Sequence, residues 1–142
     1  MPRPFPILLS LLLLAVSCRE PVSVESFLRG EGPYVFTVDM TDSTAVYDLD
    51  LYTRIDAREC PAQIPLAIIW KAPSGPSFTE TVYLPVGRAT SSFSHDAYAP
   101  YRAGVVPSDW GIWTLTISVP SAPEGLCGMG LVVKKQLWDT EN

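Results

Sequence analysis

The sequence predicts an all-β protein, an antiparallel β-sandwich of jelly-roll or immunoglobulin-like type that follows a lipoprotein signal peptide. Three observations carry that expectation. Apolar residues recur with period two along most of the chain, and no segment sustains a period of 3.6. The 14 prolines fall mostly between the apolar runs, where they punctuate strands. A short greasy run near the N-terminus ends at Cys18. Short strands at turn-punctuated spacing pack as two antiparallel layers, with a small closed barrel as the alternative.

The 142 residues suffice for one domain with a proper core and are too few for two comfortable ones. Apolar residues make up 47% and charged residues 18%, a globular composition. The formal charge is −5, and no basic stripe interrupts the acidic balance, so phosphate backbones are repelled and nucleic-acid binding is excluded. One histidine, His95, cannot build a His-rich metal site.

Residues 1–17 have the three parts of a secretory signal. Arg3 supplies the positive end, residues 7–14 the apolar run, and Ala15-Val16-Ser17 the small residues before Cys18. A run this short cannot span a bilayer, which takes ~20 residues. Cys18 reads as a lipobox cysteine, acylated (palmitate) and left as the new N-terminus, with Ala15 standing where Leu is usual. Each buried CH₂ of such an anchor contributes ~0.8 kcal/mol, so several chains hold the protein firmly without spanning. Arg19-Glu20-Pro21 contains no Asp directly after the cysteine and no acidic run. The expected place is therefore the outer membrane, lipid-anchored and facing the periplasm, with surface display as the alternative. Residues 18–32 are expected to be a lipidated tether without strong periodicity, and residues 33–142 the β-sandwich domain.

Within that domain the strands follow in order. Tyr34, Phe36, Val38 and Met40 share one face, opposite Thr37 and Asp39. Tyr47, Leu49 and Leu51 alternate with Asp48, Asp50, Tyr52 and Arg54, and this strand is expected to pair with the first across Thr41-Asp42-Ser43. Residues 63–70 are apolar on both faces, as a central strand is, and Pro73-Ser74-Gly75-Pro76 is a turn. Residues 78–84 alternate again, with Glu80 on the face of Phe78, Val82 and Leu84, until Pro85 stops them. Residues 88–107 are expected to form a long loop with one short strand at 101–105. Trp113, Leu115, Ile117 and Val119 then alternate with threonines and serine. Cys127, Met129, Leu131 and Val133 line one face of a last strand over 126–137, opposite Gly128 and Gly130, which signal close backbone approach or a bulge.

Chemistry-bearing residues are few. With Cys18 lipidated, Cys60 and Cys127 remain as an even pair in an exported protein, which predicts a disulfide contributing up to ~4 kcal/mol. Ser94-His95-Asp96 has the residue types of a hydrolase triad, but neighbours on an extended backbone point to alternating sides, so the segment reads as a polar loop. Asp48 and Asp50, like Asp39 and Asp42, lack the converging oxygens calcium needs, and they read as a solvated strand face. Tyr52 and Tyr83 on the polar sides of their strands, and Trp110 in a turn, form the candidate binding surface. No catalytic residues, no cofactor and no metal are expected.

One family shares this order of features. The lipobox at Cys18 is followed by Tyr34-Val35-Phe36-Thr37-Val38, by Tyr47-Asp48-Leu49-Asp50-Leu51-Tyr52 and by a Pro73-Ser74-Gly75 turn. Glu80-Thr81-Val82-Tyr83-Leu84-Pro85 comes next, and Tyr101-Arg102 leads into Gly111-Ile112-Trp113-Thr114-Leu115-Thr116-Ile117. From Cys18 to about Trp138 the chain resembles the gliding-motility-associated lipoprotein H (GldH-like) family of Bacteroidota. Cys60, Cys127 and the Ser-rich residues 88–98 lie outside the family's pattern. The resemblance implies a non-enzymatic, lipid-anchored interaction module of the cell envelope, docked to envelope proteins and tied to gliding or the associated secretion machinery. The alternative expectation is a glycan-binding module that stacks sugars on its exposed aromatics.

Overall fold

The computed structural model describes residues 22–137, and Cys18 with its leader lies outside the described residues. Eight strands follow one another: β1 (Val22–Arg29), β2 (Tyr34–Met40), β3 (Ala45–Ile55), β4 (Gln63–Lys71), β5 (Ser77–Ser91), β6 (Ser94–Val105), β7 (Gly111–Ser118) and β8 (Gly128–Leu137). They form one antiparallel sheet in the order β1-β8-β3-β6-β5-β4-β7-β2. The chain is thus all-β, and its sheet is rolled nearly into a barrel. Its two edges, β1 and β2, are consecutive in sequence. Between them runs an open seam, a cavity of about 280 Å³ lined by Val22 and Val24 from β1 and Thr37, Val38 and Asp39 from β2.

Alternation sets which face turns inward. β2 buries Tyr34, Phe36, Val38 and Met40 and exposes the residues between them. β3 buries Tyr47, Leu49 and Leu51, β4 buries Ile64, Leu66, Ile68 and Trp70, and β7 buries Trp113, Leu115 and Ile117. Each such side chain contributes ~1.5–3 kcal/mol on leaving water, which is what fixes the register of these strands. β4 lies between β5 and β7, as its apolar character predicted. Its second face is nevertheless open to solvent, and Ile69 there is 42% exposed.

Pairing differs from expectation at three places. β2 does not pair with β3: it lies against β7, while β3 lies between β6 and β8. The 41–44 connection carries the chain from one part of the roll to the other. It is held by Asp39 and Asp42, which accept from the hydroxyls of Thr41 (2.7 Å) and Thr44 (2.6 Å). Pro85 does not end its strand either. β5 runs for 15 residues and changes partner there, pairing with β4 as far as Pro85 and with β6 from Val86. A proline suits the changeover because it has no N–H to donate to a ladder, and Val86 resumes donation, to the Ala62 carbonyl at 2.9 Å. The expected loop at 88–107 is mostly the β5–β6 hairpin. The short strand expected at 101–105 is its end, but the small and polar residues before it hid the rest of a strand that pairs with β3 over most of its length.

The third difference is β1. Residues 22–29, expected to be tether, add a complete edge strand to β8, from Val22 opposite Lys135 to Arg29 opposite Gly128. Apart from half-buried Leu28, every residue of β1 is exposed. With no buried face the strand leaves no burial pattern in its sequence, and backbone pairing alone defines it.

Candidate functional site

A cavity of about 580 Å³ is a groove on the outer face of β1, β8, β3 and β6. Its construction follows from the register. Phe27 lies opposite Gly130, Gly130 opposite Tyr52, and Tyr52 opposite Tyr98, so one row across four strands carries three aromatic rings and one gap. The Tyr52 ring fills that gap. A Cβ on Gly130 would fall 2.2 Å from Tyr52 Cζ, so the ring lies directly on the β8 backbone. Phe27 stacks on Tyr52 with centroids 5.8 Å apart and planes at 28°.

Two carboxylates pin the phenols. Tyr52 Oη donates to Glu25, and burial together with that contact pushes the Tyr52 hydroxyl up to about 12. Tyr98 Oη donates to Asp50 Oδ2 at 2.7 Å, which raises the Tyr98 hydroxyl above its ordinary range. Tyr98 as a whole residue is 52% exposed. Asp50 is therefore not part of a solvated face. It is buried beneath Tyr98 and the Lys134 ammonium, 3.0 Å away. Asp48 on the same face is half-buried and accepts from the Gly104 N–H at 2.7 Å and from Gln136 at 3.3 Å.

Beside the aromatic row the groove is polar. Arg54 Nε donates to Asp56 Oδ1 at 2.8 Å and its Nη2 to Ser94 Oγ at 2.7 Å, and Ser94 Oγ donates in turn to Asp56 Oδ1 at 2.8 Å. The Ser94 hydroxyl, then the Cys127 thiol and the Arg54 guanidinium, hold the Asp56 carboxyl below the usual carboxylate range. Arg29 and Asp96 complete this side. Ser94 is thus committed to an arginine and an aspartate, while His95 pairs across to Ile55 and its Nδ1 is buried without a partner. The three neighbours do not converge on one another.

Cys127 was expected to face the core with Met129. Instead it precedes β8 and lines the groove, its Sγ 3.2 Å from Asp56 Oδ2 and 3.6 Å from the Gly125 carbonyl. Burial, followed by the Asp56 carboxylate, pushes this thiol up, so it is protonated at neutral pH. Cys60 and Cys127 stand as free thiols in the structure, and the bond expected between them is not formed there.

The three expected binding aromatics are not brought together. Tyr52 belongs to the groove. Tyr83, 58% exposed, lies on the outer face of β5 opposite Pro65. Trp110, 42% exposed, lies in the β6–β7 connection. Phe27, Arg29 and Tyr98 were missed as site residues because their segments read as tether and loop, and Arg54, though read on the polar face of its strand, because its partner Ser94 lies across the sheet on β6. The signals that could have found them were the alternation Glu25-Phe27-Arg29 and Gly130, which faces Tyr52 from β8. No protein-family model matches the chain, and no curated protein matches it.

Proposed function

We propose that this protein is a lipid-anchored, non-enzymatic binding module of the cell envelope, of the gliding-motility lipoprotein H type, and that the outer-face groove is where it binds. The observation that supports it is the groove itself: fixed aromatic rings beside an Arg54–Asp56–Ser94 cluster whose groups are committed to one another rather than to a nucleophile and its base. The position of β1 supports presentation. Three residues separate Cys18 from Val22, a span of at most ~15 Å. From Val22 to Arg29 the strand covers a further ~23 Å, at ~3.3 Å per residue, so the Phe27–Arg29 end that lines the groove is the end of β1 farther along the chain from Cys18. The accompanying fold is a β-sandwich, β1-β8-β3-β6 facing β4-β7-β2, with β5 shared between the layers. Deleting the protein in its host is expected to impair spreading or secretion. Unchanged spreading and secretion remove the motility assignment.

Pairing of Cys60 with Cys127 belongs to the same proposal, because an exported protein meets an oxidising compartment. Both cysteines lie at one end of the roll. The Cys127 N–H donates to the Arg54 carbonyl at 2.9 Å, and Cys60 lies in the connection that leaves β3 just beyond it. Denatured, unreduced protein isolated from the envelope is expected to take up no maleimide until a reductant is added. Two labels per chain before reduction would show that the thiols stay free.

A further inference from the structure

We infer that the groove is a binding site for a neutral glycan, seated on the Tyr98, Tyr52 and Phe27 rings. The inference rests on the binding-module proposal and names its ligand class. Two observations carry it. First, the rings are immobilised before any ligand arrives. Tyr98 is tied at its hydroxyl to Asp50, and Tyr52 is tied to Glu25 while lying flat on Gly130. A pinned tyrosine that is still half exposed loses little rotamer freedom on binding, which is where flexible surface aromatics lose affinity. The row crosses four strands, about 14 Å at ~4.8 Å per step, the footprint of a short oligosaccharide. Apolar C–H faces of pyranose rings fit such a platform, as the amphipathic ring of tyrosine favours.

Second, the polar side of the groove suits hydroxyls and disfavours charge. Arg29 and Arg54 are balanced by Asp56 and Asp96, and Arg54 is already engaged by Asp56. Guanidinium donors and carboxylate acceptors side by side can bracket vicinal hydroxyls, whereas an anionic ligand meets no net positive field in a chain of charge −5. A peptide side chain inserted here would find aromatic rings and charges but no leucine, isoleucine or methionine wall.

The test is calorimetry and affinity electrophoresis of the mature protein against neutral glucans, mannans, galactans and xylans, with alginate and pectin as acidic comparators. At least one neutral glycan is expected to bind. Tyr98→Ala should weaken that binding about tenfold, as the loss of one stacking platform implies. Tyr98→Phe, which keeps the ring and loses its tie to Asp50, should weaken it less. Tyr83→Ala, on a face remote from the groove, should leave it unchanged. Phe27→Ala supplies a second variant, and melting curves of both alanine variants establish that they are folded. Binding of the acidic polymers alone overturns the inference, as does equal binding by folded Tyr98→Ala and Phe27→Ala. A silent panel with an envelope protein crosslinked at Tyr98 also overturns it, and leaves the binding-module proposal standing. Glycan binding in a strain whose deletion changes neither spreading nor secretion leaves this inference standing and removes only the motility assignment.

Discussion

Trp70→Ala is expected to destabilise the protein by about 3–5 kcal/mol. Trp70 is 4% exposed on β4 and is the hub of an aromatic cluster. Its ring stacks on Tyr101 at 6.3 Å and 9° and on Phe78 at 6.5 Å and 25°, and it meets Trp113 edge-on at 6.0 Å and 80°. The indole Nε1 donates to Tyr101 Oη at 2.8 Å, and Tyr101 Oη donates to Glu80, which also holds Arg102 at 2.7 Å. Truncation removes the packing of three rings and leaves the Tyr101 oxygen without its donor. The apolar cavity of about 250 Å³ that already borders Trp70 would open into the core. Trp70→Phe keeps much of the ring contact and loses the N–H, so its cost should fall to about 1–2 kcal/mol. Urea unfolding measures both. A loss below about 1 kcal/mol for Trp70→Ala would mean that this end of the roll is not part of the cooperative core.

Gly130→Ala carries the second large effect, and its sign should reverse with the partner. The new methyl would meet the Tyr52 ring at 2.2 Å. The ring cannot simply step aside, because Phe27 stacks on it and Glu25 holds its hydroxyl. Displacing it should cost about 1–3 kcal/mol in stability. In a Tyr52→Ala background the obstacle is gone, and alanine is the better strand residue by about 0.5–1 kcal/mol. The same substitution should there be neutral or stabilising. A double-mutant cycle on unfolding free energies reads the coupling directly. Equal costs in both backgrounds would show that Tyr52 does not rest on Gly130, and the groove would lose its floor.

The cycle also shows what kind of information the glycines carried. Gly128 and Gly130 were legible as points of close approach, and both are: a Cβ on Gly128 would meet the Leu28 carbonyl at 2.2 Å, and Gly130 lies under Tyr52. What approached them was not legible. Leu28 and Tyr52 are separated from β8 by most of the chain, and only the β1-β8-β3 order brings them there.

Strands with one buried face were readable from the residues alone. Tyr34 to Met40, Tyr47 to Leu51 and Trp113 to Ile117 alternate because one side of each strand leaves water and the other does not, and that asymmetry is written into residue types. The class of fold follows from it. β1 and the first part of β6, residues 94–100, escaped for the opposite reason, while the short strand expected at 101–105 is the end of β6. β1 has no buried face at all, and four of the seven residues 94–100 are alanine, serine or proline, whose side chains carry little transfer free energy to pattern. Choice of neighbour escaped as well, since backbone N–H and C=O groups are the same at every residue and any strand can pair with any other. That β2 joins β7 rather than β3, and that β5 changes partner at Pro85, depend on how the whole sheet rolls to close over its core. The groove inherits that dependence. Its aromatic residue types are present in the chain, but their meeting on one outer face is a product of strand order, which local sequence does not encode.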